Sequence, residues 1–294
     1  KKMGKINILD TLTANQIAAG EVIERPASVI KELIENSIDA GATKIEAHLA
    51  HGGRQKIQVV DDGEGMDRQD ALLALKRHAT SKLRNFTDLQ TIASLGFRGE
   101  ALPSIAAVSR VILQTARETG IPGVKITAEG GEVISVEEVG VPRGSNFMVE
   151  DLFYNTPARL KFLKTIPSEI SKVKEVVTGL ALGHPQISFS LNHQNMELLT
   201  TYATDDLLQT LDQIFPSAFC QELVWVEGTY GPLKLDGFIG RPTVARSNRG
   251  QQYFYMNGRI FHSRLISSAA EKAYGTLLPV ARFPFLLLNI TLPA

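Results

Sequence analysis

The sequence contains little cysteine, no net charge and no long apolar run. Cys220 is its single cysteine, which excludes an internal disulfide and a cysteine-rich zinc site and fits a reducing compartment. Lys and Arg together number 31, as do Asp and Glu, so any basic surface for nucleic acid must be local. No apolar run reaches the ~18 residues of a membrane span, and the start lacks the apolar segment of a signal peptide. We therefore expect a cytoplasmic protein with no membrane contact.

What remains is an ordinary globular composition. The chain has 294 residues, 44% of them hydrophobic, which is enough for two domains with separate cores, and Cys220 is expected to be a core residue. A polar segment at 202–206 indicates the boundary, which predicts domains at 1–204 and 205–294. Met3 is typical of an initiator, and the sequence stops just after a strand-like run, so we expect a piece of a longer protein.

Residues 28–41 are predicted to form an amphipathic helix with an unusual polar face. Their sequence is Ser-Val-Ile-Lys-Glu-Leu-Ile-Glu-Asn-Ser-Ile-Asp-Ala-Gly. At about 100° per residue, Glu32, Asn36 and Asp39 share one helical face, and the apolar residues share the opposite one. Pro26 suits the first turn of this helix, and Gly41 suits the position just past its end. On this segment alone, solvent exposure is the more ordinary interpretation of the polar face.

A predicted β-hairpin follows, with strands at 44–50 and 56–61. The second strand leads directly into Asp61-Asp62-Gly63-Glu64-Gly65-Met66. Glycines at a strand end allow the backbone to approach a ligand closely, and the neighbouring carboxylate can accept a hydrogen bond. An ordinary Asp-Gly turn explains the same residues when they are taken alone.

Residues 78–103 have little periodicity, and a connection of this length is usually either a functional lid or disordered. Hydroxyl groups, an ammonium group and glycine-flanked amides suit phosphate oxygens, and this segment supplies them at Thr80, Ser81, Lys82 and Gly96-Phe97-Arg98-Gly99. A solvated loop is the alternative for Lys82 and Arg98. A short helix is predicted at about 100–108, directly after the lid.

The rest of the chain alternates strands with a few helices. Strands are predicted near 109–116, 122–128, 132–139, 145–150, 187–192, 196–202, 222–229, 233–239, 251–257 and 282–290, with helices near 168–182, 206–214 and 264–275. We therefore predict an α+β fold. Its first domain is an α/β sandwich in which helices cover a mixed, mostly antiparallel sheet, and its second is a smaller α/β domain.

Taken in order, these segments resemble the N-terminal region of the MutL family of DNA mismatch repair ATPases. The same superfamily includes gyrase B subunits, ninety-kilodalton heat-shock chaperones and histidine kinases. The resemblance covers nearly the whole chain, and two of its motifs are more particular to MutL than to the other families. The motifs are 16–26 (QIAAGEVIERP), 32–41 (ELIENSIDAG), 77–82 (RHATSK), 96–102 (GFRGEAL) and 151–159 (DLFYNTPAR), the last two being the more particular.

The resemblance implies binding and hydrolysis of ATP with Mg²⁺. Glu32 would be the general base that orients the attacking water, and Asn36 would give a side-chain oxygen to Mg²⁺. Asp61 would accept a hydrogen bond from the adenine amino group. The other implied nucleotide contacts are Gly63, Gly65, Met66, Thr80, Ser81, Lys82, Gly96, Phe97, Arg98, Gly99 and Ser145.

The chain departs from the family pattern at two points. The fourth superfamily motif has Gly-Thr, whereas this chain has Gly144-Ser145, which keeps a hydroxyl group but weakens the inferred contact with adenine through water. The family also carries a lysine for the γ-phosphate beyond the last strand, and the sequence stops before it. We therefore expect slow hydrolysis.

The second domain resembles the transducer domain of the family. Residues 257–264 (NGRIFHSR) match a family signature in which Arg264, with Arg259, would face DNA without reading its sequence. Arg241, Arg246, Arg249, Lys272 and Arg282 are candidates for widening this basic surface, with solvated surface charges as the alternative. The resemblance further implies a mismatch-recognition partner of the MutS type and action near the nucleoid. It also implies a homodimer, formed by the N-terminal regions on ATP binding and by a C-terminal region that this sequence lacks.

Three hypotheses follow. The first is an ATPase whose cycle opens and closes a dimeric clamp around DNA, and both Glu32 and Asn36 favour it. The second is a nucleotide-sensing DNA-binding module with no useful turnover, which the absent lysine favours. The third is a topoisomerase-like enzyme, which is disfavoured because type II topoisomerases have a different lid sequence.

Overall fold

The computed structural model describes residues 19–20, 22–79, 95 and 99–292. The described helices are α1 (Pro26–Asp39), α2 (Arg68–Ala74), α3 (Ala101–Ala107), α4 (Pro157–Phe162), α5 (Ile166–Gly183), α6 (Leu207–Ile214), α7 (Ser217–Cys220) and α8 (Arg264–Ala273). Within these ranges, no helix has both the length and the apolar character needed to cross a bilayer.

The described strands form two sheets. They are β1 (Lys44–Ala50), β2 (Lys56–Asp61), β3 (Arg110–Ala116), β4 (Gly123–Glu129), β5 (Glu132–Val139), β6 (Gly144–Glu150), β7 (Ser188–His193), β8 (Met196–Thr201), β9 (Leu223–Tyr230), β10 (Leu233–Gly240), β11 (Gln252–Met256), β12 (Arg259–Phe261) and β13 (Leu286–Thr291). The larger sheet has the order β5-β4-β3-β6-β2-β1-β7-β8, and the smaller has the order β12-β11-β13-β10-β9.

The structure divides into two compact units. The first contains the described residues up to Val176 together with Phe189–Leu199, and the second contains Val177–Ser188 together with the described residues from Thr200 onward. The predicted boundary between residues 204 and 205 stays a prediction about the domains of the protein.

The sheet of the first unit has one face covered by helices. Along its central strands, buried residues alternate with half-buried ones, so one set of side chains faces the helical layer. Ile57, Val59 and Leu113 belong to this buried set. Helix α1 packs against β2 from this side, burying Ile30, Leu33 and Ile34. The apolar face predicted for 28–41 is therefore largely confirmed, although Ile38 is only half-buried.

In the second unit the sheet has an apolar cluster on each face. Helix α8 supplies Ile266 and Ala270 to one cluster, and helices α6 and α7 supply residues to the other. Cys220 lies in the second cluster, as predicted, and burial raises the pKa of its thiol to about 12. The thiol therefore remains protonated at neutral pH.

The α+β prediction is confirmed, and the departures from it are local. The β1–β2 hairpin has the predicted bounds, and β11 pairs with β13 in parallel, so the smaller sheet is mixed. The last strand begins at Leu286 rather than near 282, because Pro284 lacks the N–H that a ladder requires. Strand β12 was not predicted, since three residues are too few for a periodic pattern, although the preceding Asn257-Gly258 is a strong hairpin signal.

Candidate active site

Helix α1 carries the predicted catalytic face and is fixed at both ends. Pro26 begins it, and Gly41 follows it with φ +69°. Arg25, just before the first turn, donates hydrogen bonds of 3.0–3.1 Å from Nε and Nη2 to the carboxylate of Glu169 on α5. The backbone N–H of Lys164 donates to the same carboxylate at 2.9 Å, so this 1% exposed acid has both charge and hydrogen bonds compensated.

The polar face of α1 carries Glu32 and Asn36, one turn apart. The Glu32 side chain is 26% exposed, and its Oε1 lies 3.6 Å from Nζ of Lys31. Asn36 is half-buried. The structure also buries Glu35 on this helix, with Lys31 Nζ at 2.7 Å, and burial raises the pKa of the Glu35 carboxyl. The burial of Glu35 could not be predicted from the sequence, since a glutamate between two predicted faces has no pattern that indicates burial.

Three polar side chains form a row across neighbouring strands beneath α1. Asp61 ends β2 and lies opposite Ser145 on β6, which lies opposite Thr115 on β3. Their residues are 8%, 9% and 1% exposed. Polar side chains at such depth require hydrogen bonds, and each of the three has them. The row brings together two residues that the sequence singled out and one that it did not.

Asp61 is the carboxylate of this row, and both of its oxygens accept hydrogen bonds. Its Oδ2 accepts from the Ser37 hydroxyl at 2.7 Å, and its Oδ1 accepts from the Gly63 N–H at 3.0 Å. Burial raises the pKa of the Asp61 carboxyl, whereas Ser37 and the amides of Gly63 and Ser145 act in the opposite direction. A buried acceptor with fixed donors on one side is suited to receive a further N–H from a ligand.

The two glycines after Asp61 are required by the protein itself. A Cβ at Gly63 would lie 2.9 Å from the carbonyl oxygen of Ala40, just after α1. Gly65 has φ +62°, and a Cβ there would lie 2.0 Å from the carbonyl oxygen of Ala116. The loop after β2 is therefore held against α1 and β3 by backbone contacts. Whether the same glycines also leave room for a base stays a prediction.

The lid prediction falls mostly outside the described residues. Thr80, Ser81, Lys82, Gly96, Phe97 and Arg98 all lie there. Within the lid segment, the described Leu95 donates its N–H to Asp39 Oδ1 at 2.8 Å, which connects this residue to the end of α1. Gly99 has φ +60°, and a Cβ there would lie 2.5 Å from the carbonyl oxygen of Ala79. The helix predicted after the lid is confirmed as α3.

Ser37 and Thr115 form hydrogen bonds with residues of the predicted site, and neither was predicted from the sequence. The Ser37 hydroxyl reaches Asp61, and Thr115 contacts both Met66 and Ser145. Ser37 lies one residue beyond Asn36 on a predicted helix, so its position beside Asp61 required knowledge of how α1 packs on β2. Thr115 required knowledge of the strand order, because β3 and β6 are separated in sequence by two other strands.

Comparison with known proteins identifies both units. Residues 23–133 match the family model of histidine kinase-, DNA gyrase B- and HSP90-like ATPases, and residues 211–294 match that of the DNA mismatch repair protein C-terminal domain. DNA mismatch repair protein MutL of Symbiobacterium thermophilum is 46% identical over 98% of this chain, and that of Trichlorobacter lovleyi is 47% identical over 98%. The chain belongs to the MutL family of DNA mismatch repair proteins.

Solved structures agree with this assignment. The Aquifex aeolicus MutL ATPase domain complexed with ADP superposes with a TM-score of 0.70 at 28% identity, covering 92% of this chain and 93% of that one. The N-terminal domain of a DNA repair protein has a TM-score of 0.80 over 95% of this chain and 87% of that one, and at 24% identity it shows the fold alone. The chain spans 45% and 49% of the length of the two curated relatives.

The arginines predicted to face DNA lie in the second unit. Arg264 is exposed at the first turn of α8, which Ser263 caps, and Arg259 is half-buried in β12. Arg249 differs from the other candidates, because its Nε and Nη2 donate to the Glu271 carboxylate at 2.7 and 2.9 Å. Its charge is thus already matched within the protein. Arg241, Arg246, Lys272 and Arg282 are exposed.

Proposed function

We propose that the first unit binds ATP and hydrolyses it with Mg²⁺ during DNA mismatch repair. The observation that carries the proposal is the juxtaposition of a buried, hydrogen-bonded Asp61 with a helix that presents Glu32 and Asn36. The family assignment and the similarity to a MutL ATPase domain complexed with ADP support it.

The adenine end of the site would be formed by Asp61, Ser145 and the loop containing Gly63, Gly65 and Met66. An ionised Asp61 can only accept hydrogen bonds, so it pairs with the amino group of adenine and is mismatched with the carbonyl oxygen of guanine. Its burial strengthens that discrimination, because water cannot readily satisfy a mismatched group there.

The phosphate end would be formed by α1 and the lid. Glu32 would hold the attacking water and accept its proton. Among the described residues no three His, Cys, Asp or Glu side chains form a metal-binding group, and the amide of the half-buried Asn36 would supply one oxygen. This donor set fits Mg²⁺, which retains several waters and phosphate oxygens as ligands. When bound, Mg²⁺ neutralises charge on the phosphates. Thr80, Ser81, Lys82 and Gly96-Phe97-Arg98-Gly99 would bind the phosphates.

The proposal extends to the whole protein and its partners. We propose that ATP binding dimerises the N-terminal regions, and that a further C-terminal region supplies a second dimer contact. The resulting clamp would enclose DNA, with a MutS-type protein signalling the mismatch and the domain at 205–294 transmitting the nucleotide state. Arg264 and Arg259 would contact DNA phosphates without reading sequence. A cytoplasmic location follows from these partners.

The test is ATP turnover measured together with equilibrium binding of a non-hydrolysable ATP analogue. Glu32→Ala should lower turnover by about 10²- to 10⁴-fold while analogue binding persists, because the base acts on water and not on the nucleotide. Asp61→Asn should weaken analogue binding by about 10- to 100-fold, because a charge-assisted hydrogen bond is lost. Glu118→Ala, at an exposed turn after β3, is the matched control and should behave as wild type.

Two outcomes would contradict the proposal. Unchanged turnover in Glu32→Ala would remove the assigned base, and analogue binding that ignores Asp61 would remove the assigned adenine site. A nucleotide-sensing module without useful turnover is the second candidate, favoured by the contact of Lys31 with Glu32, which engages one carboxylate oxygen. That candidate predicts analogue binding that depends on Asp61 but no turnover above the Glu32→Ala background.

A further inference from the structure

Thr115 has a buried hydroxyl group that forms hydrogen bonds with residues in or next to the candidate adenine site. Its Oγ1 accepts from the backbone N–H of Met66 at 2.9 Å and donates to the carbonyl oxygen of Gly144 at 2.8 Å. The same oxygen lies 3.1 Å from Oγ of Ser145. Thr115 is 1% exposed, so water does not complete these bonds.

The direction of the Thr115–Ser145 hydrogen bond follows from the number of available protons. A threonine hydroxyl has one proton and two lone pairs. Because a carbonyl oxygen can only accept, the single proton of Thr115 is committed to Gly144. The hydroxyl of Ser145 must therefore donate to Thr115, and its own oxygen keeps only lone pairs for other partners.

This direction makes the candidate site an array of acceptors. Asp61 presents a carboxylate, and Ser145, its cross-strand neighbour, presents lone pairs. We infer that Thr115 is a specificity-determining residue, which fixes Ser145 as an acceptor and thereby favours the adenine amino group over the guanine carbonyl. The inference rests on the proposed function.

Thr115 also positions the loop that would border the base. The N–H of Met66 is the one backbone donor of this loop that bonds to β3 through a side chain in the described structure. The preceding Gly65 lies against the carbonyl oxygen of Ala116, the residue after Thr115. Loss of the Thr115 hydroxyl therefore removes the hydrogen bond that holds the Met66 loop on β3. It also leaves the Ser145 hydroxyl free to donate its proton to another acceptor.

The test compares binding of non-hydrolysable ATP and GTP analogues in variants of residue 115. Thr115→Val keeps the side-chain shape but frees the Ser145 hydroxyl to donate, so the preference for ATP over GTP should fall about tenfold. Thr115→Ser retains the hydroxyl and should keep the wild-type preference. Thr127→Val, on the neighbouring strand β4 and half-buried between buried residues, is the control and should also keep it.

The preference ratio separates this role from a purely structural one, because a loosened fold weakens both analogues together. If Thr115→Val does not fold, Thr115→Cys replaces it, since a thiol is a poor acceptor of similar size and should lower the ratio in the same direction. A wild-type ratio in a folded Val or Cys variant would overturn the inference and leave the proposed function intact. Failure of the wild-type protein to bind the ATP analogue would overturn the proposed function and this inference with it.

Discussion

At the scale of single residues, the carboxyl of Asp61 combines the proposed ligand contact with a penalty for folding. Burial raises its pKa in the folded protein above the ordinary value of 3.8. The folded state therefore binds a proton more readily than the unfolded state, and stability decreases as pH rises from 3.8 through the folded pKa. Above that pKa the penalty is constant. At neutral pH the buried, ionised Asp61 is therefore expected to lower the free energy of unfolding, relative to a neutral side chain at the same position.

We expect Asp61→Asn to stabilise the folded protein at neutral pH, because the substitution removes the buried charge. Its thermal unfolding midpoint should match that of the wild type near pH 4 and exceed it at pH 7.5, by a few degrees. Ser37 can then donate to the carbonyl oxygen of Leu33, which already lies 3.1 Å from its Oγ. Calorimetric scans at both pH values measure the effect. A variant that is less stable than the wild type at pH 7.5 would show that the hydrogen bonds of Asp61 outweigh its desolvation.

The residues at this site differ in how far the sequence revealed them. The predicted roles of Glu32, Asn36 and Asp61 depend on spacing within one helix or at one strand end, and such spacing is visible in the chain. The contacts of Ser37 and Thr115 depend on packing between elements, which is set by sheet order and register. The burial of Glu35 is compensated by its ion pair with Lys31, whose side chain reaches the protein surface.

At the scale of elements, the loop after β2 is fixed by the close approach of Gly65 to β3. Gly65→Ala combines an unfavourable φ of +62° with a Cβ placed 2.0 Å from the carbonyl oxygen of Ala116. Gly41→Ala is a matched control, because its φ is +69° and no atom lies within 4 Å of the added Cβ. The control should be destabilised by about 1 kcal/mol from backbone conformation alone. Gly65→Ala should be destabilised by about 3 kcal/mol or more, since backbone must shift.

Urea unfolding followed by circular dichroism measures both free energies of unfolding. Equal destabilisation of the two variants would mean that the loop moves away from β3 easily and that its position is not fixed by this contact. A larger loss in Gly65→Ala, accompanied by weaker binding of the ATP analogue, would connect the loop geometry with the proposed adenine site.

The elements themselves were largely predictable, because each carries its own periodicity and punctuation. Strands β1 and β2 have the predicted bounds, since their alternation begins and ends at the hairpin residues 51–55. Helices α6 and α8 agree within two residues. Strand β13 was predicted four residues too early, because the apolar run from Phe283 continues through a proline that cannot pair. Periodicity reports which side chains are apolar, whereas ladder formation also requires backbone donors.

At the scale of the whole molecule, the balance of 31 basic and 31 acidic residues means that the proposed DNA binding must come from a local surface. Arg264 is exposed at the start of α8, and no ion pair of this residue is found among the described salt bridges. Arg249, by contrast, is engaged by Glu271 and lies 4.3 Å from the ring centroid of Phe283. The proposed DNA surface is therefore better represented by Arg264 than by the number of arginines around it.

We expect Arg264→Ala to weaken binding of duplex DNA and to reduce the slope of log affinity against log salt by about 1, as loss of one phosphate contact predicts. The weakening should be uniform across DNA sequences, because a phosphate contact carries no base information. Lys234→Ala is the matched control, since it removes one exposed positive charge from the same unit and should leave the slope unchanged. Fluorescence anisotropy over a salt series measures both slopes. Equal slopes for the two variants would assign DNA binding to the net charge of the unit and remove Arg264 from the proposed surface, whereas a difference would locate that surface at the first turn of α8.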